Sequence, residues 1–402
     1  MVYGRVARRR VFYVPGYDPV PARRYREIYR REGAAQARIS GYDIALKPRH
    51  ATGGPYGWHV SATIEGAEVE AEVDILAWSD IVRDSMARGV FATYLQLART
   101  AWTYAQSGAF RRLMRLRRGP VLAALYPVGM LLVQLAIAIA AGIALASHAA
   151  PVLPWEAAAL AGLAVTALIL QAFQRLDRRL YAHYLMHDYA FTARHGGEIP
   201  PELDERLVSF REAIAAALKS DVDEVLVVGH SSGAHLAVSV LAELIRRGEV
   251  PNTGPALSLL TLGHVVPMVS FLPRAWQLRD DLHYLASRRE LAWVDVTAPG
   301  DACAFALCDP VAVSGVCPKE KYWPLVVSAA FSQTLSRSRW RRLRWRFFRL
   351  HFQYLHAFDT PGDYDYFQIT AGPKTLGSRF AGRPPSRSRI ERSVSPYTSR
   401  AA

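Results

Sequence analysis

Residues 225 to 238 read VLVVGHSSGAHLAV. The apolar run breaks at Gly229, turns over His230, Ser231 and Ser232, and resumes after Gly233 as a run of small and apolar residues. Glycines two residues before and after a serine are what a strained strand-to-helix turn requires. They remove the Cβ atoms that would strike neighbouring backbone while the serine hydroxyl projects above a sheet. The pattern G-x-S-x-G is short enough to arise by chance, and its context gives it weight: "EVLVV" supplies the strand and "AHLAVSVLAELI" the helix, with Ala234 keeping the helix start small. Ser231 is the candidate nucleophile, and an inert polar turn is the alternative. His230 projects a different way from such a turn and is expected to be structural. A serine hydroxyl is a poor nucleophile at neutral pH; it needs a histidine to take its proton and a carboxylate to hold that histidine in the right tautomer.

The elements that must position this turn alternate along the chain. "RRVFYVPGYDP" (9 to 19) reads as a short strand closed by Pro-Gly, and "PARRYREIYRREG" as the charged helix after it. "AEVEAEVDILAWSD" (67 to 80) contains a second strand, and "IVRDSMARGVFATYLQLARTAWTYAQ" reads as one long amphipathic helix. Further on come a helix around "ERLVSFREAIAAALKS", the strand "EVLVVG", the helix "AHLAVSVLAELIRRG", the strand "ALSLLTLG", a helix near "RAWQLRDDLHYLASR" and the strand "LAWVDVTAPG". This alternation predicts an α/β fold, a mostly parallel sheet with helices on both faces.

With the elbow in that setting, the chain resembles the α/β-hydrolase superfamily, in particular its lipase-, esterase- and thioesterase-like members, over roughly residues 8 to 105 and 200 to 372. The resemblance implies a serine, acid, histidine order along the chain. It also implies an acid after the strand two positions beyond the nucleophile's strand. "LAWVDVTAPGDACAFALCDP" offers Asp295 inside the strand, Asp301 in the Pro-Gly loop at its carboxyl end, and Asp309 well beyond. Asp301 is favoured because ligands of open α/β sheets bind at that end; a turn aspartate satisfying local donors is the alternative. The histidine must then come from "RLHFQYLHAFDTPGDYDYF", which holds only His351 and His356. His351 is favoured and His356 stays open. "YDYFQIT" reads as one more strand after the histidine, a departure from the family pattern that an extra edge strand would explain. The oxyanion donors implied by the resemblance are the backbone N–H of Ser232 and a second N–H from the loop after an early strand, assigned to Tyr17 in "VPGYDP". A plain turn is the equal alternative there.

Composition narrows the partners. The 402 residues carry a net charge of +14 and are 51% hydrophobic, enough for one large core or two ordinary ones. Three cysteines, Cys303, Cys308 and Cys317, cannot all pair and form no CxxC, which argues against a disulfide framework or a zinc site and fits a reduced compartment. No Walker motif, GxGxxG or HExxH occurs, so no cofactor and no metal are expected. The N-terminal apolar run before Pro15 is too short for the core of a signal peptide.

From Gly119 to Trp155 there is no Asp, Glu, Lys or Arg, and "VLAALYPVGMLLVQLAIAIAAGIALAS" exceeds the ~20 apolar residues that span a bilayer. After "SHAAPVLPWE", "AAALAGLAVTALILQAF" is a second apolar run. A transmembrane hairpin is expected, with spans at about 120–147 and 154–173. Pro127 in the first span is tolerable where neighbours satisfy the freed carbonyl. Arg111, Arg112, Arg115, Arg117 and Arg118 precede the hairpin and Arg175, Arg178 and Arg179 follow it, while the loop between has no Lys or Arg, which predicts cytoplasmic termini. A buried hairpin of a water-soluble protein is the alternative.

"SRSRWRRLRWRFFRLHFQ" (336 to 353) interleaves arginines with Trp340, Trp345, Phe347 and Phe348, as suits a headgroup region; nucleic-acid binding is the rival and is not expected beside membrane spans. Domain organisation is therefore expected as residues 1–105 and 186–378 of one hydrolase domain, a hairpin region 106–185, and a disordered basic tail 379–402. The functional expectation is a multi-pass serine hydrolase in a bacterial inner membrane. It would act on an ester or thioester of an apolar acyl chain, its partners being membrane lipid and the anionic inner leaflet, with homo-oligomerisation through the hairpin left open. The alternative is a catalytically inactive scaffold of the same fold, and transfer to an acceptor other than water uses the same residues.

Overall fold

The computed structural model describes residues 5–49, 54–86 and 89–402, with the side chains of 178 and 179 outside the described set. Eight strands form one sheet: β1 (Arg8–Val14), β2 (Asp43–Pro48), β3 (Gly57–Ile64), β4 (Ala67–Ile75), β5 (Glu224–His230), β6 (Ala256–Leu262), β7 (Leu291–Thr297) and β8 (Leu325–Ser328). Their spatial order is β2-β3-β4-β1-β5-β6-β7-β8. From β4 through β8 every pairing is parallel, and β2, β3 and β4 form an antiparallel meander at one side. Strands β5 and β7 are buried at every residue, so their near-continuous apolar runs are those of strands covered on both faces. In β4 the alternation of Val and Ala with Glu places the acids outward over its first half.

The two faces carry separate cores. Phe12, Val225, Val227, Leu259 and Trp293 pack with helices Pro201–Leu218, Gly233–Arg246 and Trp276–Ala286. Val11, Val228, Leu260 and Val294 pack with helix Arg23–Ser40 and the segment from Leu350 to Phe380. The chain leaves the sheet on opposite sides of β1, toward β4 and toward β5, so the loop after β1 and the turn after β5 lie side by side at the carboxyl ends of the strands.

Between β4 and β5 the chain makes a long helical excursion. Helices Arg118–Ala149 and Trp155–Arg175 are both long and apolar enough to cross a membrane, and they extend the expected spans by a few residues. Their outer faces carry exposed apolar side chains, among them Ile143 at 62% exposure and Leu160 and Leu163 at 66%. The two helices meet through glycine: a Cβ on Gly162 would sit 2.6 Å from the Gly142 carbonyl oxygen, so only small residues let the backbones approach this closely. Thr166 Oγ1 donates to the Ala138 carbonyl across the pair at 3.2 Å.

Several expectations are corrected. The single long helix expected after β4 is two, Ser79–Ser85 and Val90–Gln106, on either side of residues 87 and 88, which lie outside the described residues. "YDYFQIT" forms helix Tyr366–Ala371 and not a strand, because Asp365 Oδ1 accepts the N–H groups of Phe367 and Gln368 and the helical repeat buries Tyr366, Phe367, Ile369 and Thr370. The arginine-rich segment 336–353 forms two short helices, Arg337–Leu343 and Phe347–His351. The tail expected to be disordered is laid against the domain: the Ser386 N–H donates to the Val326 carbonyl, covering part of the edge strand β8. Ile390 exchanges hydrogen bonds with Leu307 and Asp309, Val394 is buried, and the Ser399 carbonyl accepts from Arg279. Composition alone hid the few apolar residues that anchor it.

Candidate active site

Ser231 follows the last residue of β5 with φ of 56°, a left-handed conformation that a non-glycine residue holds only where the surroundings enforce it. Those surroundings are explicit. The Ser231 N–H donates to the Leu262 carbonyl at 2.9 Å and the Ser231 carbonyl accepts from Ala234 at 3.1 Å, closing the turn into helix Gly233–Arg246. A Cβ on Gly229 would lie 2.7 Å from the Ala234 Cα, and one on Gly233 would lie 2.6 Å from the Pro15 carbonyl oxygen. Both glycines are therefore steric necessities of this turn. Gly16, in the loop after β1, faces the serine so closely that a Cβ there would be 3.0 Å from the Ser231 Cβ.

Asp301 and His351 come together from opposite ends of the C-terminal half. Asp301 sits in the loop after β7, 2% exposed, and its carboxylate takes three donors. Oδ1 accepts the Cys303 N–H at 2.9 Å; Oδ2 accepts His351 Nδ1 at 2.8 Å and the Tyr354 hydroxyl at 3.0 Å. Tyr354 is itself fixed, accepting the Ala298 N–H at 3.0 Å. With Nδ1 donating to Asp301, Nε2 of His351 is the basic nitrogen; it is buried and has no hydrogen-bond partner among the described residues. The Ser231 hydroxyl makes no hydrogen bond to it in this structure, a looseness common in empty acyl-transfer sites.

His230 braces this histidine from behind. The rings stack at 4.9 Å, His230 Nε2 donates to the His351 carbonyl at 3.2 Å, and Nδ1 accepts the Tyr13 hydroxyl at 3.2 Å. Burial first, and the neighbouring His351 second, push the His230 pKa well below its ordinary value, so it is a neutral prop. His356 lines the same cavity but donates from Nδ1 to the Phe352 carbonyl at 2.6 Å and is not joined to Asp301. Asp295 stays in its strand, accepting from Thr261 Oγ1 at 2.6 Å, with burial raising its pKa to about 6. Asp309 caps helix Pro310–Val313 and pairs with Lys321.

Ser231, Ser232, Tyr17 and His351 all line one cavity of about 1610 Å³. Neither the Ser232 nor the Tyr17 amide donates to another backbone group among the described residues, so both are free to bind an oxyanion. The Tyr17 ring is held by Trp78 and by a 2.7 Å hydrogen bond to Ser85 Oγ. Apolar side chains, among them Leu185, Val265, Met268 and Phe305, line the cavity together with eight arginines. Pro120 and Gln174, near the start of the first long apolar helix and the end of the second, also line it.

Three contributors escaped the sequence reading. Tyr354 lies three residues after His351, and nothing in its local sequence marks it. Cys303 supplies only its backbone N–H, and burial pushes its thiol well above the ordinary value. Asp301, Cys303 and His351 offer ligand atoms within 4.8 Å of one another, yet a protonated thiol and a fully engaged carboxylate are poor metal donors. Asp188 lines the cavity from helix Ala182–Arg194; a lone acid within "YLMHDYAF" was the available signal. Comparison with protein-family models, with curated proteins and with solved structures gives no match.

Proposed function

We propose that the chain is a membrane-anchored serine hydrolase of α/β-hydrolase type, cleaving an ester or thioester of an apolar acyl chain. The observation that carries this reading is the left-handed Ser231 sharing a cavity with the unpartnered Nε2 of His351, whose Nδ1 is held by Asp301. In the first half-reaction Ser231 Oγ bonds to the substrate carbonyl carbon while its proton moves to Nε2. The oxyanion faces the amides of Ser232 and Tyr17, and Nε2 returns the proton to the departing alcohol or thiol. In the second, water or another acceptor gives its proton to Nε2, attacks the acyl-serine and frees Oγ. Asp301, accepting from Nδ1, stabilises the imidazolium that forms in each half.

The membrane reading is supported by the exposed apolar faces of the hairpin and by helix Val90–Gln106, which turns Phe91 and Trp102 outward at 83% and 67% exposure. Cavity-lining residues at the hairpin base, Pro120 and Gln174, support a site beside the bilayer surface, where an acyl lipid would be presented. Arginines flanking the hairpin orient both termini to the cytoplasm, in a bacterial inner membrane, with the side chains of Arg178 and Arg179 outside the described residues.

A scaffold role without chemistry is favoured by one observation, the missing Ser231 to His351 hydrogen bond. Fluorophosphonate labelling of isolated membranes separates the two. The hydrolase reading expects labelling of wild type that disappears in Ser231→Ala and His351→Ala and persists in His356→Ala; a folded wild type that never labels leaves the scaffold.

A further inference from the structure

The cavity is unevenly charged. Eight arginines and four acids line it, and the arginines fall into two sets. Arg30, Arg31 and Arg339 are neutralised by Glu27, Glu32 and Asp359 at 3.0, 2.9 and 3.3 Å. Arg24, Arg175, Arg342, Arg346 and Arg349 have no carboxylate partner among the described residues. They come from three places far apart in sequence: the helix after β1, the base of the hairpin, and the paired short helices that end at His351. Arg24 is held over the Phe352 ring, 5.9 Å from its centroid, beside the catalytic histidine. Uncompensated charges around a concave mouth reinforce one another, because low-dielectric walls focus their field into the opening. Guanidinium groups with no carboxylate partner are suited to phosphate oxygens, which they grip with paired N–H donors.

Building on the hydrolase reading, we propose that these arginines bind the phosphate of the substrate's leaving group, so that the natural substrate is a membrane lipid carrying an acyl ester within a few bonds of an anionic phosphate. The acyl chain lies along Val265, Met268 and Phe305, the carbonyl meets Ser231, and the phosphate faces Arg342, Arg346 and Arg349. The arginine-rich segment thus reads the substrate inside the site, a different role from adhesion to the leaflet. Hydrolysis balances simply: water adds across the acyl C–O bond, giving the free acid and a glycerol phosphate.

The test uses the full chain in neutral-detergent micelles, which present no anionic surface. Hydrolysis of 1-hexanoyl-glycerol 3-phosphate is compared with that of 1-hexanoyl-glycerol. Wild type is expected to prefer the phosphate ester at least ten-fold in kcat/KM, and Arg346→Gln/Arg349→Gln to lose that preference. Arg344→Gln, an arginine of the same segment outside the cavity wall, should keep it. Equal rates on both esters in wild type, or a preference that survives the double variant, overturns the proposal. Faster turnover of hexanoyl-coenzyme A than of the glycerol phosphate overturns the lipid source. Should fluorophosphonate never label the protein, the hydrolase reading fails by itself. Binding of fluorescent oleoyl-glycerol phosphate against fluorescent monooleoylglycerol to Ser231→Ala still decides the phosphate site, with equal affinities counting against it.

Discussion

Two carboxylates of the candidate site could hardly be held more differently. Asp301 accepts three hydrogen bonds, from His351, Tyr354 and the Cys303 amide. Asp188 lines the cavity, and its carboxylate accepts no side-chain or backbone donor among the described residues. Burial raises the Asp188 pKa to about 7, with the charge of His351 pulling only weakly the other way. An anion is stabilised where donors surround it and is expensive where they do not. One acid is therefore surrounded by donors, and the other, left without them, is raised into the range where it changes state near neutral pH.

The comparison breaks most severely at Asp301. Asp301→Asn keeps the shape but presents an amide that can donate to Nδ1, favouring the tautomer with its proton on Nε2, where the serine's proton must go. The expected loss is about 10⁴-fold in kcat, as for other triads in the wrong tautomer, with the fold unchanged by circular dichroism. Retention of more than a tenth of wild-type activity would show that Asp301 does not set the tautomer.

Tyr354→Phe removes one of the three donors and leaves the Ala298 N–H without its acceptor. Losing a hydrogen bond to a charged group costs roughly 1.5–3 kcal/mol. Activity should fall by about ten-fold or somewhat more, with the loss mostly in kcat, and the fluorophosphonate labelling rate should fall in parallel. His356→Ala, by contrast, touches neither carboxylate and should change kcat by less than about three-fold; a collapse there would transfer the base to His356.

How much of this was open to reading from the sequence depends on whether the determining contacts are local. The elbow was legible because its whole logic, strand, two glycines, serine and helix, fits in fourteen residues, 225 to 238. Asp301 was reachable through its place after a strand, and His351 because few histidines follow it. Tyr354 was not, because its value comes from meeting Asp301 across 53 positions of chain. Strands β2 and β3 went unread for a related reason: β2 is an exposed edge whose burial alternates weakly, so its sequence carries little period-two signal. The Tyr366–Ala371 segment misled in the other direction. Its aromatic and β-branched residues favour a strand by propensity, and the Asp365 cap together with burial against the sheet made it a helix.

The smallest effect, at Asp188, sharpens the contrast through pH. The folded-state pKa is raised above the unfolded value, so Asp188 costs nothing below about pH 4, where both states are protonated. Its cost grows as pH rises and is complete above the folded value of about 7. Asp188→Asn, which never ionises, should therefore stabilise the protein more at pH 8 than at pH 5, by a Tm difference on the order of 2 °C in thermal scans. In catalysis the sign follows from the neighbouring histidine. An ionised Asp188 makes it easier for His351 to hold the proton it takes from Ser231, so wild type should show a step in kcat near pH 7 that the asparagine variant lacks. If both proteins give superimposable pH profiles, the carboxyl does not face His351 closely enough to matter. The difference between the two acids would then be one of packing alone.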